Sequence, residues 1–283
     1  MASQSSSLAQ ERSPAQSEPG AGLPVHYGDP RPLSSQTHAK WRLKQGGPDF
    51  AAQAPFVPIV AGELAAAARH YPIVFAAGDG QPIAMLGLER RNLFVEEGRW
   101  AADAYMPAYI RRYPFGFIGP VDSDRFVLAI DAGSDRVVQD GEEGTPLFED
   151  GEPSDLTRRA LAFCEAFQGE AAATRAFAEA LAAQDLLIDR RADATLPDGR
   201  KFGLEGFKIV DREKFADLPD EIVLDWHRRG YLAWVNFHLA SLDRFEVLLQ
   251  RQSALIAVTP KSQENVSPPA RRESSAVEKK AAS

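Results

Sequence analysis

The segment Trp100 to Pro120, WAADAYMPAYIRRYPFGFIGP, places six aromatic residues, two adjacent arginines and three prolines in one short run. Tyrosine and tryptophan join a large apolar area to a polar tip, arginine offers a planar five-donor fork, and proline stiffens the backbone that carries them. Trp100, Tyr105, Tyr109, Arg111, Arg112, Tyr113 and Phe115 are therefore the candidate ligand-binding residues. Stacking and bidentate hydrogen bonds from such a set suit a carboxylate, a phosphate or a peptide. The competing reading is an aromatic mini-core whose arginines pair with internal acids. Burial of Tyr109 and Arg112, with every donor satisfied inside the fold, would decide for the core.

The remaining reactive residues form no catalytic set. Among the histidines, His26 and His38 fall in the N-terminal tail, while His70, His227 and His238 fall in the core region with no i, i+4 pair and no HExxH motif. His227 and His238 lie on consecutive helices and could converge on a metal with Asp225 or Asp243, but structural histidines are the simpler reading. The glycine patterns GDGQP and FGLEGF lack phosphate-loop spacing and open no helix, so they read as a turn and a bulge. Glu205, between Gly203 and Gly206, reads as a solvent-facing strand residue before a buried acid opposite an arginine. No GxSxG elbow surrounds a serine, and Glu96-Glu97, Glu142-Glu143 and the Glu149, Asp150, Glu152 cluster are solvated charge in turns. The lone cysteine, Cys164, excludes an intramolecular disulfide and reads as core. No metal and no cofactor is expected, and binding is favoured over catalysis.

Composition narrows the partners. The chain of 283 residues is 44% hydrophobic and 25% charged, which is globular usage, and its net charge of -8 argues against a nucleic-acid-binding surface. A protein or peptide partner fits better. The N-terminus MASQSSSLAQERSPAQSEPG has no apolar h-region, and no window approaches a membrane span, so the expectation is a cytoplasmic protein that is not integral to a membrane.

The elements that must position these residues read as α+β, strands first. Residues 1–53, rich in Ser, Gln, Pro and Gly, are expected to be a disordered tail, 54–257 the folded domain and 258–283 a second tail. YPIVFAA and PIAMLGL make a hairpin through Gly78-Asp79-Gly80, with NLFV, FGFI, RFVLAI and 136–138 as further antiparallel strands. Pro107 opens a short helix that Pro114 ends. Ser154 caps a helix stopped by Gly169, and a second helix follows to form a helical hairpin. A β-hairpin turning at Pro197-Asp198-Gly199 is then inserted before a helix bounded by Pro219 and Gly230. One long closing helix carries the stripe Leu232, Val235, Leu239, Leu242, Phe245 and Leu249.

Several runs, in order, resemble one family. They are YPIVF (71–75), LGL (86–88), NLFV (92–95), Trp100, YMPAYIRRYPFGF (105–117), LFEDGEPS (147–154), FGLEGFKIVDREKF (202–215), LPDE (218–221) and the HRRGYLAWVNFHLASLDRF ending. Together they resemble the SapC family of bacterial proteins over about 55 to 250. The resemblance implies an accessory role, since members are often encoded near TonB-dependent receptors of the outer membrane. The family name comes from a surface-layer locus, which adds a structural surface-layer component as an alternative. Its peptide-permease label conflicts with the absence of membrane spans. It carries over no catalytic residues. An enzyme using His227 or His238 with distant acids, acting on a small polar substrate or on a protein, is the other alternative.

Overall fold

The computed structural model describes residues 26–119, 126–195, 199 and 201–258. Along the chain it begins with β1 (Pro30–Pro32), β2 (Arg42–Leu43) and, after a 3-10 turn, β3 (Phe56–Pro58). A second 3-10 turn and α1 (Leu64–Ala67) lead into β4 (Ile73–Ala76) and β5 (Pro82–Met85). The pair β6 (Val95–Glu96) and β7 (Arg99–Trp100) precedes α2 (Ala108–Arg111). Next come β8 (Phe115–Ile118), β9 (Val127–Asp131), β10 (Val137–Val138), β11 (Thr145–Pro146), β12 (Phe148–Glu149) and β13 (Glu152–Pro153). Helix α3 (Asp155–Ala183) is followed by β14 (Leu187–Thr195) and β15 (Lys201–Val210). Four helices close the chain: α4 (Arg212–Ala216), α5 (Asp220–Arg229), α6 (Tyr231–Ser241) and α7 (Arg244–Val258).

The fold is α+β with antiparallel pairing throughout. A five-stranded sheet in the order β14-β15-β4-β5-β3 forms its largest sheet, beside the smaller sheets β1-β9-β8 and β10-β2-β11. Ile73, Val74 and Phe75 are all fully buried, so β4 is covered on both faces and shows no in-out alternation. Helix α6 supplies one cover and also fixes it by hydrogen bonds. Ile73 N–H donates to Ser241 Oγ at 2.9 Å, and His238 Nδ1 lies 2.8 Å from Ile73 O. A second, smaller core gathers Trp41, Phe115, Ile130, Leu147 and Cys164 between the small sheets and α3.

Three expectations are corrected. Residues 26–53 are part of the fold: Tyr27, Trp41, Leu43 and Ala51 are buried, and β1 and β2 pair with β9, β10 and β11. Average composition hides this because a few large side chains and borrowed strand partners hold a polar segment in place. Residues 1–25, and the tail from 259 onward, lie outside the described residues. The helical hairpin is one 29-residue helix, α3, with Gly169 inside it. Gly169 faces solvent, and its helix cost of about 1 kcal/mol is spread over an alanine-rich run of good helix formers. The single closing helix is instead two, broken at Leu242–Asp243 between α6 and α7, so the stripe from Leu232 to Leu249 serves two axes.

Of the expected strand NLFV only Val95 lies in one, β6, but several other local readings hold. Ser154 Oγ accepts from Thr157 N–H, and Gly230 ends α5 in the left-handed conformation at φ 79°. The register shift between Arg190 and Ala192 places Glu205 and Gly206 (φ 83°) in a bulge of β15. Of the expected turn there, Pro197 and Asp198 lie outside the described residues.

Candidate functional site

Helix α2 is held from a distance. Pro107 stands at its N-cap, and the Ala108 N–H donates to Glu63 Oε1 at 2.6 Å. Glu63 is 6% exposed and faces no cation; it also accepts from the Tyr105 hydroxyl at 2.9 Å and, through Oε2, from Val60 N–H at 3.1 Å. Hydrogen bonds therefore stand in for a counter-ion. Tyr105 in turn accepts from Arg111 Nη2 at 3.0 Å, and burial, with the Glu63 charge beside it, pushes its phenol up to about 12. Beyond α2 the Tyr113–Pro114 peptide is cis, and the Tyr113 hydroxyl donates to buried Asp131 at 2.9 Å. Asp131 also accepts from the N–H groups of Gly28, Asp29 and Gly133, which binds the N-terminal segment to this region.

The aromatic residues of the segment turn inward while its arginines remain toward the surface. Tyr109, Tyr113 and Phe115 are buried, Trp100 and Tyr105 half-buried. Trp100 donates its indole N–H to the Tyr71 hydroxyl at 3.2 Å. Tyr113 stacks on Phe50 with centroids 3.8 Å apart. Arg112 is half-buried with its guanidinium carbon 4.3 Å from the Tyr109 ring centroid and 4.4 Å from that of Phe167. Its Nε is buried and makes no hydrogen bond among the described residues. Exposed Arg111 lies over Phe163 at 5.3 Å. The mini-core reading thus describes the rings and part of Arg112, whose side chain also hydrogen-bonds to Tyr27 and Tyr109, while Arg111 stays exposed; neither arginine forms an ion pair with a described residue.

These two arginines open onto a cleft of about 210 Å³ that two more enter from elsewhere in the chain: Arg136, before β10, and Arg159, in α3. Leu43, Phe115, Leu156 and Phe163 supply apolar walls, and no carboxylate lines the space. Arg136 is oriented by its own bonds, Nε to Lys44 O at 3.3 Å and Nη1 to Tyr113 O at 3.2 Å. Burial lowers its pKa, opposed by the charge of Asp135. Arg159 is exposed, with Asp155 of the preceding helical turn as an acid its charge acts on. Four arginines lining one space, with no acid among its described lining residues, favour an anion. Of the seven residues named from the sequence, Arg111, Arg112, Tyr113 and Phe115 line this cleft; Trp100, Tyr105 and Tyr109 do not. Arg136 and Arg159 were missed: Arg136 stands alone in a turn, and Arg159, beside Arg158, reads as the solvated face of a helix.

Other reactive groups are committed. A second cleft, of about 230 Å³ beside Asp79, Asp185 and Lys208, has mixed charge, and Lys208 pairs with Asp189 at 3.1 Å. His238 is fully buried, with Nδ1 against Ile73 O and Nε2 accepting from Val210 N–H at 3.1 Å. Burial lowers its pKa to about 4. His227 is exposed on α5, so the two histidines do not converge. Among the described residues no three His, Cys, Asp or Glu side chains are grouped to hold a metal ion. Cys164 is core, and burial pushes its thiol up to about 11. No helix among the described residues is long and apolar enough to cross a membrane.

A family model described as SapC matches residues 33–248, a span that contains all four arginines of the cleft. No curated protein and no solved structure matches the chain.

Proposed function

The chain belongs to the SapC family, and on that premise we propose that it is a recognition protein that holds an anionic group of a peptide, protein segment or glycan in the arginine cleft. One observation carries this reading. Arg111, Arg112, Arg136 and Arg159 line one small space with no carboxylate among them, in a chain whose net charge is -8. Arginines collected only for solubility would be scattered among acids, as Arg158 with Asp155 and Arg229 with Asp225 are. The apolar walls add area for the body that carries the charge. An accessory part in nutrient uptake at the outer membrane accords with a protein that recognises a partner and transforms nothing.

The test is a crosslinked pull-down from the native host with wild type and an Arg111→Gln, Arg159→Gln double variant. Both side chains are exposed, so the variant keeps the fold. A partner captured by wild type and lost by the variant is the expected result. A partner held equally by both would remove the cleft from recognition.

A further inference from the structure

Resting on that recognition role, we propose that the cleft between α2, the 134–137 turn and α3 takes a phosphate monoester on an apolar body, in preference to a carboxylate. The first reason is the placement of the donors. A carboxylate presents two oxygens in one plane, and a single guanidinium fork matches it. Here the guanidiniums come from three separate elements: Arg111 and Arg112 from the end of α2, Arg136 from the turn before β10, and Arg159 from the second turn of α3. Donors carried on three elements around one cleft suit a tetrahedral head whose three free oxygens point apart.

The second reason is charge. A phosphate monoester carries about -1.5 to -2 at pH 7, against -1 for a carboxylate. Four arginines unpaired by any described acid offset a dianion better than a monoanion. Their freedom is limited in advance, which lowers the ordering cost of binding. Arg136 is fixed by the Lys44 and Tyr113 carbonyls, Arg111 by the Tyr105 hydroxyl, and Arg112 lies between the Tyr109 and Phe167 rings with its Nε unbonded.

The third reason is size. At about 210 Å³ the cleft falls below the roughly 300–1,000 Å³ of a pocket for a drug-sized ligand. It therefore suits a head group and a short apolar neck against Leu43, Leu156 and Phe163, not an oligosaccharide. An aryl phosphate has those dimensions. It can arrive as a small phosphate ester or as a phosphorylated side chain.

Calorimetric titration of the full chain with phenyl phosphate, phenylacetate and inorganic phosphate at low salt tests this. Phenyl phosphate is expected to bind at least about tenfold more tightly than either of the others. Its affinity falls between pH 7.5 and pH 5.5, as the second ionisation near about 6 is lost, while that of phenylacetate does not. Arg159→Gln weakens phenyl phosphate about tenfold with an unchanged melting temperature, and Arg159→Lys restores part of the loss. A phosphotyrosine peptide that binds more tightly than phenyl phosphate assigns the ligand to a protein side chain, and one that binds more weakly assigns it to a free ester. Equal affinity for phenylacetate and phenyl phosphate, with both still dependent on Arg159, overturns the phosphate preference and leaves anion recognition standing. Binding of no anion, or binding indifferent to Arg159→Gln, overturns both.

Discussion

Single side chains in this protein divide by whether the fold satisfies them. His238, Glu63 and Asp131 are buried polar groups, each surrounded by hydrogen-bond partners from other parts of the chain. Such groups specify the fold, since losing a partner leaves a desolvated group unbonded. The arginines of the cleft are the contrast: held in part by neutral hydrogen-bond partners, none forms an ion pair with a described acid, so their charge is open to something outside the fold. His238 makes a pH prediction possible. Its folded pKa of about 4 lies below the ordinary 6.5, so the unfolded chain takes up a proton first as pH falls. Stability is full above about pH 6.5 and declines toward pH 4, by on the order of 3 kcal/mol. Denaturant midpoints measured at pH 7 and pH 5 should show about 2 kcal/mol of that loss in wild type. A His238→Gln variant, less stable at pH 7, should show a smaller drop; an equal drop would assign the pH dependence elsewhere.

At the scale of elements, two glycines that each follow a helical pattern in the sequence do opposite things. Gly169 lies inside α3 with open space where a Cβ would stand, whereas Gly230 ends α5 at φ 79°. Gly169→Ala should therefore stabilise the protein by about 0.5–1 kcal/mol, through helix propensity and a less flexible unfolded chain. Gly230→Ala should destabilise it by about 1 kcal/mol or more, because an L side chain is strained in the left-handed region. Urea unfolding of the two variants reads both signs; a stabilised Gly230→Ala would mean that α5 ends without this cap. A glycine in a helical pattern marks a stop only when the chain turns there. That is why Gly230, after Arg228 and Arg229, was legible as a boundary and Gly169, between Gln168 and Glu170 in an alanine-rich run, was misleading.

For the whole molecule, the N-terminal segment shows how far long-range pairing departs from local composition. Trp41 is 7% exposed, rests against His38 and joins the core of Phe115, Ile130 and Leu147. Trp41→Ala should cost about 3–5 kcal/mol in chemical denaturation, whereas a tryptophan in a solvated tail would cost nothing measurable. Patterns confined to a few neighbouring residues were readable from the amino acids alone. The β4–β5 hairpin, the Ser154 cap, the Gly230 stop, the β14–β15 hairpin with its bulge and the aromatic character of the 100–120 segment all follow from side-chain shape and backbone preference within one stretch. The sequence also determined the α+β class and the family, because ordered motifs run along most of the chain. Only the tertiary structure decided that β14 and β15 join β4, that residues 26–53 complete the small sheets, and that Tyr109 turns inward while Arg111 faces out. It alone brought Arg136 and Arg159 to the arginines of α2. The physical reason is that burial and proximity depend on which distant surfaces meet, and neither composition nor period records which distant residues an arginine will join.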